Sequence, residues 1–205
     1  MAGNIQLAVG TAKLTLEDAG LFELRPDPFR FGVEFGASMI SSDLDELAPA
    51  AKDCAGGPTR FDYKQWGTHA MSSMPPLWLL KYLPNMPACH ISILYDLQGP
   101  NNSLTQSEAA SNLAIGEAFR IIARGAADLM LAGGCDSKIH PLHMVRLGLL
   151  GIASPRNDAP EQACRPFDAD RDGMVPAEGV GAVILEELEH AKKRGAKIYA
   201  ELVGF

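Results

Sequence analysis

The chain has 205 residues, of which 47% are hydrophobic, and a formal net charge of −7 at pH 7. A chain of this length should bury about 70% of its unfolded surface, which suits one soluble globular domain. The negative charge argues against nucleic acid as a partner, and no apolar run approaches the ~20 residues needed to cross a bilayer.

The N-terminal part of the chain predicts a helix followed by a strand. Residues 5–19 place apolar side chains on one helical face and stop at Gly20. Residues 31–36 alternate three large apolar side chains with glycines and one acid, which is typical of a strand with close backbone approach on its glycine side. The acid, Glu34, needs a partner, so we expect an edge position or an arginine contact rather than catalysis.

Residues 38–87 are the least regular stretch. Ser41 and Ser42 precede a short helical pattern, and we expect a serine to cap that helix. Residues 66–83 are rich in apolar side chains, which predicts core packing. His69 stands alone here and is expected to make a polar contact rather than to bind a metal.

A helix is predicted over residues 85–96, with an inward face made of apolar and thiol side chains. That face comprises Met86, Cys89, Ile93 and Leu94.

A sharp bend between a strand and a helix follows a Gly-Pro pair. Residues 102–106 leave room for one short strand, and a helical pattern runs over residues 108–125. We call this bend, at Ser107 and Glu108, the elbow. The first N–H groups of a helix are unpaired and its dipole favours an anion, so an elbow suits a nucleophile.

The remaining elements alternate between strand and helix. Residues 128–134 form a continuous apolar run typical of a buried parallel strand, and its two final glycines predict a tight turn. A strand over residues 181–186, a helix over 187–194 and a final strand over 197–203 follow. This alternation predicts an α/β protein with a mostly parallel sheet.

Neither the acidic loop nor the cysteines predict a metal site. Residues 168–173 begin like a calcium loop, but the twelfth position, which should be an acid, is Gly179. The four cysteines are far apart and contain no C-x-x-C pair, which favours reduced thiols in a cytoplasmic protein. No secretory pattern opens the chain, and no cofactor is expected.

The surroundings of the elbow and several later stretches closely resemble the β-ketoacyl synthases, acyltransferases of the thiolase-like family. The order and spacing of these stretches carry the resemblance. They are residues 131–134, 165–168, 171–173, 178–182 and 185–205.

The resemblance implies a thiolase-like three-layer α/β/α half with a mostly parallel mixed sheet of about four to five strands. Residues 1–205 would form a partial N-terminal domain, without the family's first strand and without the second half that bears two catalytic histidines. The absent half would leave an apolar face exposed. Residues 66–83 would correspond to the family's cap over the site, which is an alternative to core packing.

The resemblance also implies that Glu108 occupies the position of the acyl-accepting cysteine. A carboxylate is a poor acyl acceptor and none of the five histidines lies in a matching motif, so the chain alone is expected not to condense acyl groups. A protonated glutamate could imitate the glutamine of chain-length partners. The alternative is an ordinary acidic residue at a helix N-terminus.

Other positions acquire roles only through the resemblance. Met39 and Met174 would line an acyl pocket. A structural ion-pair network would consist of Arg165, Asp168, Arg171 and Asp172. An edge strand would pair antiparallel with its copy across a two-fold axis, through Asn102, Ser103, Leu104 and Thr105.

Three functions therefore remain open. The first is a family member in fatty-acid or polyketide assembly, which acts on acyl-carrier-protein thioesters as a homodimer or as a heterodimer with a related synthase. The second is a non-catalytic partner resembling a chain-length factor. The third is a structural fragment without activity.

Overall fold

The computed structural model describes residues 2–57 and 60–205. Within these residues the chain forms helices and strands connected by loops and single 3-10 turns. The helices are α1 Gly3–Asp18, α2 Leu44–Asp53, α3 Tyr63–Thr68, α4 Met86–Tyr95, α5 Ala110–Ala123, α6 Pro141–Leu149 and α7 Leu188–Lys193. The strands are β1 Phe31–Ala37, β2 Asn101–Leu104, β3 Leu129–Ser137 and β4 Glu178–Glu186.

The four strands form one mixed sheet in the order β2-β1-β3-β4. β1 is parallel to both β2 and β3, whereas β4 is antiparallel to β3. Parallel neighbours require long crossover connections, and helices α4 and α5 lie in those connections here. The prediction of an α/β protein with a mostly parallel sheet is therefore confirmed.

Apolar layers cover both faces of the sheet. On one face, Phe31, Val33 and Phe35 of β1 pack with α1 and α4. On the other face, Met130 and Ala132 of β3 pack under α5. The result is a three-layer α/β/α arrangement with β1 and β3 at its centre.

Glycines let the layers approach closely. A Cβ atom on Gly36 would lie 2.6 Å from the carbonyl carbon of Ala110, at the start of α5. A Cβ atom on Gly133 would lie 2.1 Å from the carbonyl oxygen of Gly181 in β4. Close approach on the glycine side of β1 is thus confirmed. The tight turn predicted at Gly133 and Gly134 is wrong, because both lie within β3.

Glu34 does not occupy the predicted environment. It is fully buried in β1, an interior strand with β2 and β3 on either side. In the part of the chain that the structure describes, neither carboxylate oxygen has a hydrogen-bond partner. The prediction of an edge position or an arginine contact for Glu34 was wrong. β1 becomes an interior strand only because β2, which comes much later in the chain, pairs with it.

The inward face of α4 was also predicted wrongly. Ile93 and Leu94 are 75% and 54% exposed, whereas Ala88 and Ile91 form the buried face. Apolar residues occur all round this helix, so its sequence marks no single buried side.

Two further predictions need correction. The cap of α2 is Asp43, whose Oδ1 accepts from the Asp45 N–H at 2.8 Å, rather than a serine. Residues 197–203 form no strand, because among the described residues no sheet edge pairs with them. Instead, Tyr199 donates to Asp18 at the end of α1, and Phe205 packs against α5.

The apolar zone around residues 66–83 divides in two. Trp78 and Tyr82 pack against Ile5 and Ile40 in a small core cluster. Leu79 and Leu80 are exposed, so only part of the zone is core.

Helix α6 buries none of its own residues. Its apolar side chains, among them Leu142, Val145 and Leu149, are exposed. No helix in ranges 2–57 and 60–205 is long and apolar enough to span a membrane.

Candidate functional site at the elbow

The elbow forms where the sequence predicts it. β2 ends at Leu104, a single 3-10 turn covers Ser107–Ala109, and α5 begins at Ala110. Ser107 has a φ of 48°, in the left-handed region that residues other than glycine, asparagine and aspartate seldom adopt. Such strained backbone is concentrated at functional sites, so the turn is a candidate for one.

The Glu108 side chain at the elbow is exposed and free. Within residues 2–57 and 60–205 no hydrogen bond or ion pair holds its carboxylate. Among the residues that the structure describes, no side chain caps the 3-10 turn or the start of α5. Glu108 therefore stands at a helix N-terminus without acting as its cap.

A cleft of about 320 Å³ opens beside the elbow. It lies where β1 and β3 end, α5 begins and β4 starts, the edge of a parallel sheet at which α/β proteins commonly bind ligands. Its lining includes glycine backbone from Gly36, Gly134 and Gly181. Glu108 therefore lines a cavity to which these three glycines, here called the glycine floor, contribute main chain.

A second, larger groove of about 580 Å³ runs along the outer side of α1. Its lining contains glycines and leucines, the polar Gln6 and Thr11, and one acid, Glu178. Because it brings no reactive groups together, the smaller cleft at the elbow is the candidate site.

Three polar side chains meet at the rim of the elbow cleft. Ser38 Oγ donates to Asp136 Oδ1 at 2.7 Å, and Lys138 Nζ lies 2.6 Å from Asp136 Oδ2. Lys138 Nζ is also 3.4 Å from Ser38 Oγ. Burial opposes the ionisation of Asp136, but hydrogen bonds from Lys138 and Ser38 outweigh it and lower the pKa of the carboxyl group.

This rim cluster does not activate a nucleophile. A serine needs a free base beside it to lose its proton. The carboxylate beside Ser38, that of Asp136, already pairs with Lys138, so Ser38 has no free base. The cluster was missed from the sequence, although Asp136 and Lys138 directly follow the predicted buried strand and Ser38 follows β1.

Cys135 is the thiol nearest to the elbow, since it also lines the cleft. Burial, with a smaller effect from the Asp136 charge, raises the pKa of this thiol to about 12. The thiolate is the reactive form, so Cys135 cannot replace the family's cysteine at neutral pH.

His140 and His69 make structural polar contacts. His140 caps α6, because its Nδ1 accepts from the Leu142 N–H while its Nε2 donates to the Ser42 carbonyl. Burial and the nearby Lys138 lower the pKa of His143. His69 contacts Gln65 through Nδ1, which is the polar contact predicted for it.

The two methionines assigned to an acyl pocket lie outside the cleft. Met39 is 67% exposed and Met174 is 49% exposed, and neither lines the cavity at the elbow. Met174 instead pairs with Ala153 in an isolated bridge.

The ion-pair cluster centres on Asp172. Its carboxylate accepts from Ser154 Oγ at 2.7 Å and lies 3.2 Å from both Arg156 and Arg165. Arg156, in the loop before this region, was missed from the sequence.

The other two members of the predicted network make local contacts. Asp168 accepts from the Asp170 N–H at 2.8 Å, and Arg171 donates to the Asp168 carbonyl at 2.9 Å. Both contacts stabilise the turn between them rather than joining Asp172.

The predicted pairing strand occupies one edge of the sheet. β2 bonds only to β1 among the described strands, and Asn102 on it is exposed. Thr105 lies just beyond the end of the strand. The structure thus provides a free edge of the kind that a second chain could extend.

Comparison with known proteins gives matches over most of the chain. The family model described as "Beta-ketoacyl synthase, N-terminal domain" matches residues 1–191. The chain is 38% identical over 201 residues to a 3-oxoacyl-[acyl-carrier-protein] synthase 2 of Vibrio cholerae and 48% identical over 208 residues to one of Rhizobium meliloti. Each match covers 98% of this chain and 45% of the relative.

A solved structure has the same fold. The crystal structure of a β-ketoacyl synthase from Burkholderia phymatum superposes with a TM-score of 0.78 at 33% identity. The match covers 96% of this chain and 45% of that chain. This likeness confirms the predicted thiolase-like fold, and the chain spans less than half the length of the proteins it matches.

Proposed function

This chain belongs to the β-ketoacyl synthase family, and from that premise we propose that it provides the elbow and cleft of a protein that handles acyl-carrier-protein thioesters in fatty-acid or polyketide assembly. The proposal is supported by the family match over residues 1–191 and by the cleft beside Glu108. We place the protein in the cytoplasm, where its four free cysteines would stay reduced.

The role we assign to the chain is acyl binding without acyl transfer. Condensation in the family needs a thiolate that takes the acyl group from its carrier as a new thioester. Glu108 offers a carboxylate instead, and an acyl group on it would form an anhydride that water hydrolyses. The observation that carries this proposal is the free Glu108 carboxylate at the elbow, in a cleft whose nearest thiol, Cys135, is held protonated.

The interpretation as a chain-length partner gains support from the same observation. A side chain that is free of contacts and faces a cavity can shape what enters the cavity without reacting with it. Glu108 would then limit the space open to an acyl chain held by a neighbouring synthase.

Intact-mass measurement after incubation with an acyl-carrier-protein thioester tests the role of Glu108. We expect no stable adduct on the wild-type chain or on Glu108→Gln. In Glu108→Cys the added thiol stands at a helix N-terminus, which lowers thiol pKa values, so we expect one acyl group on residue 108.

Peptide mapping and a second variant complete this experiment. Cys135→Ser in the Glu108→Cys background should retain the adduct, because Cys135 is buried. A stable adduct on the wild-type chain would contradict acyl binding without transfer. A Glu108→Cys variant that a general thiol reagent alkylates but a carrier thioester does not would contradict the position of the site.

We further propose that two chains pair antiparallel through β2. The support is the free sheet edge at Asn101–Leu104 and the liability that such an edge creates. Sedimentation velocity should show a dimer, and Asn102→Lys, which places like charges across the two-fold axis, should shift it to monomer. A wild-type monomer at high concentration would contradict the pairing.

A further inference from the structure

A carboxyl group lies buried beneath the helix that starts at the elbow. Glu34 is fully buried in β1, and within residues 2–57 and 60–205 neither of its oxygens has a hydrogen-bond partner. An isolated buried carboxylate is strongly unfavourable, and such a group takes up a proton instead. The surrounding structure therefore determines its protonation state.

The side chain of Glu34 is directed towards α5. Successive side chains of a strand point to opposite faces, and Phe35 packs with α1 and α4. Gly36 lies on the same face as Glu34, and its missing side chain lets the backbone of Ala110, at the start of α5, come close. Glu34 thus lies in the layer on which α5 rests.

Three elements surround this carboxyl group. α5 contributes Glu117, and the residue after its end is Arg124; the two side chains lie 3.4 Å apart and pair with each other. β2 contributes Asn102, directly opposite Glu34 in register, and β3 contributes the apolar Ala132.

These neighbours favour the neutral acid. Burial is the largest effect, and with the Glu117 charge it raises the pKa of Glu34 to about 7. Asn102 and Arg124 act in the opposite direction but do not compensate. The ionised form therefore lacks a dedicated counter-charge.

We propose that Glu34 is a proton switch that sets how firmly α5, and with it the elbow, is held against the sheet. In the neutral state the carboxyl group can exchange hydrogen bonds with the Asn102 amide, and the apolar layer stays closed. Loss of the proton to solvent leaves a charge that repels Glu117 and draws water under α5. Because α5 begins directly after Glu108, this loosening reaches the cleft.

Titration of the wild-type chain is the first test. With ¹³C-labelled glutamate assigned through the backbone, the Glu34 carboxyl resonance should titrate with a midpoint near 7. An unperturbed glutamate carboxyl group has a pKa of 4.5. A midpoint for Glu34 in that ordinary range would overturn the proposal.

Hydrogen exchange then tests the link to α5. The measured quantity is the amide protection factor, which is the exchange rate corrected for intrinsic exchange. In the wild-type chain we expect the protection factors of residues 110–123 to fall about tenfold between about pH 6 and about pH 8, relative to those of residues 3–18. The fall should vanish in Glu34→Gln and persist in Glu161→Gln, a matched change at an exposed glutamate that does not act on Glu34. Equal falls in the wild-type chain and in Glu34→Gln would overturn the proposal. If Glu34→Gln does not fold, the wild-type chain alone still provides a test. Protection factors of residues 110–123 that stay constant while Glu34 titrates would also overturn the proposal.

Discussion

The pH dependence of stability should change when Glu34 is replaced by glutamine. The folded chain holds the pKa of Glu34 at about 7, against an unperturbed 4.5. Because the folded value is the higher one, the contribution of Glu34 to stability is complete below about pH 4.5 and is lost as the pH rises through 7. A difference of about 2.5 pKa units corresponds to about 3 kcal/mol between the two limits.

That difference is large compared with a total stability of about 5–15 kcal/mol. Glutamine has nearly the same shape and stays neutral, so Glu34→Gln should lack this part of the pH dependence. Its buried carboxamide adds a cost that does not vary with pH, so differences between pH values, and not absolute stabilities, carry the test.

Urea unfolding measures the effect. The free energy of unfolding is obtained by linear extrapolation at several pH values from about 5 to about 8.5. As the pH falls, the difference in this free energy between the wild-type chain and Glu34→Gln should approach a constant value. Between about pH 5 and about pH 7 the wild-type chain should lose stability relative to Glu34→Gln, and above that range the difference should stay constant. Glu161→Gln, which changes an exposed glutamate that does not act on Glu34, should follow the wild-type profile. Parallel profiles for the wild-type chain and Glu34→Gln would refute the reasoning.

Three other predictions concern packing, thiol reactivity and the loop before β4. Gly133→Ala should lower the free energy of unfolding by about 1–3 kcal/mol, because its Cβ would meet the backbone of β4. Gly10→Ala, at an exposed position of α1, should raise the free energy of unfolding by up to about 1 kcal/mol, and urea unfolding compares the two variants. Iodoacetamide should alkylate exposed Cys164 well before buried Cys135, as followed by mass spectrometry, and equal rates would contradict the assigned burial. Asp172→Asn should speed tryptic cleavage of the loop by weakening its links to two arginines, and unchanged cleavage would show that they do not hold the loop.

Local pattern was sufficient for most of the fold. The apolar run at residues 128–134 and the alternation at residues 31–36 identify the two central strands, since each signal is complete within the segment. Residues 197–203 alternate in the same way but form no strand. A strand also needs a neighbour to bond with, and that depends on the rest of the chain.

The long-range features of the site could not be predicted in the same way. Ser38 and Asp136 are 98 residues apart and meet only because β1 and β3 pair. The environment of Glu34 likewise depends on β2 covering the other side of β1. The elbow at Glu108 was found because strand, bend and helix follow one another directly in the sequence.

The glycine floor of the cleft limits how its selectivity could be altered. A side chain at Gly36 or Gly134 would collide with the start of α5 or with neighbouring backbone before it reached a bound molecule. At Gly181 a Cβ atom would enter open space. Substitutions at Gly181 could therefore narrow the cavity from the β4 side, and substitutions at Lys138 could change its charge. Gly36 and Gly134 must remain glycine so that α5 can pack against the opposite wall.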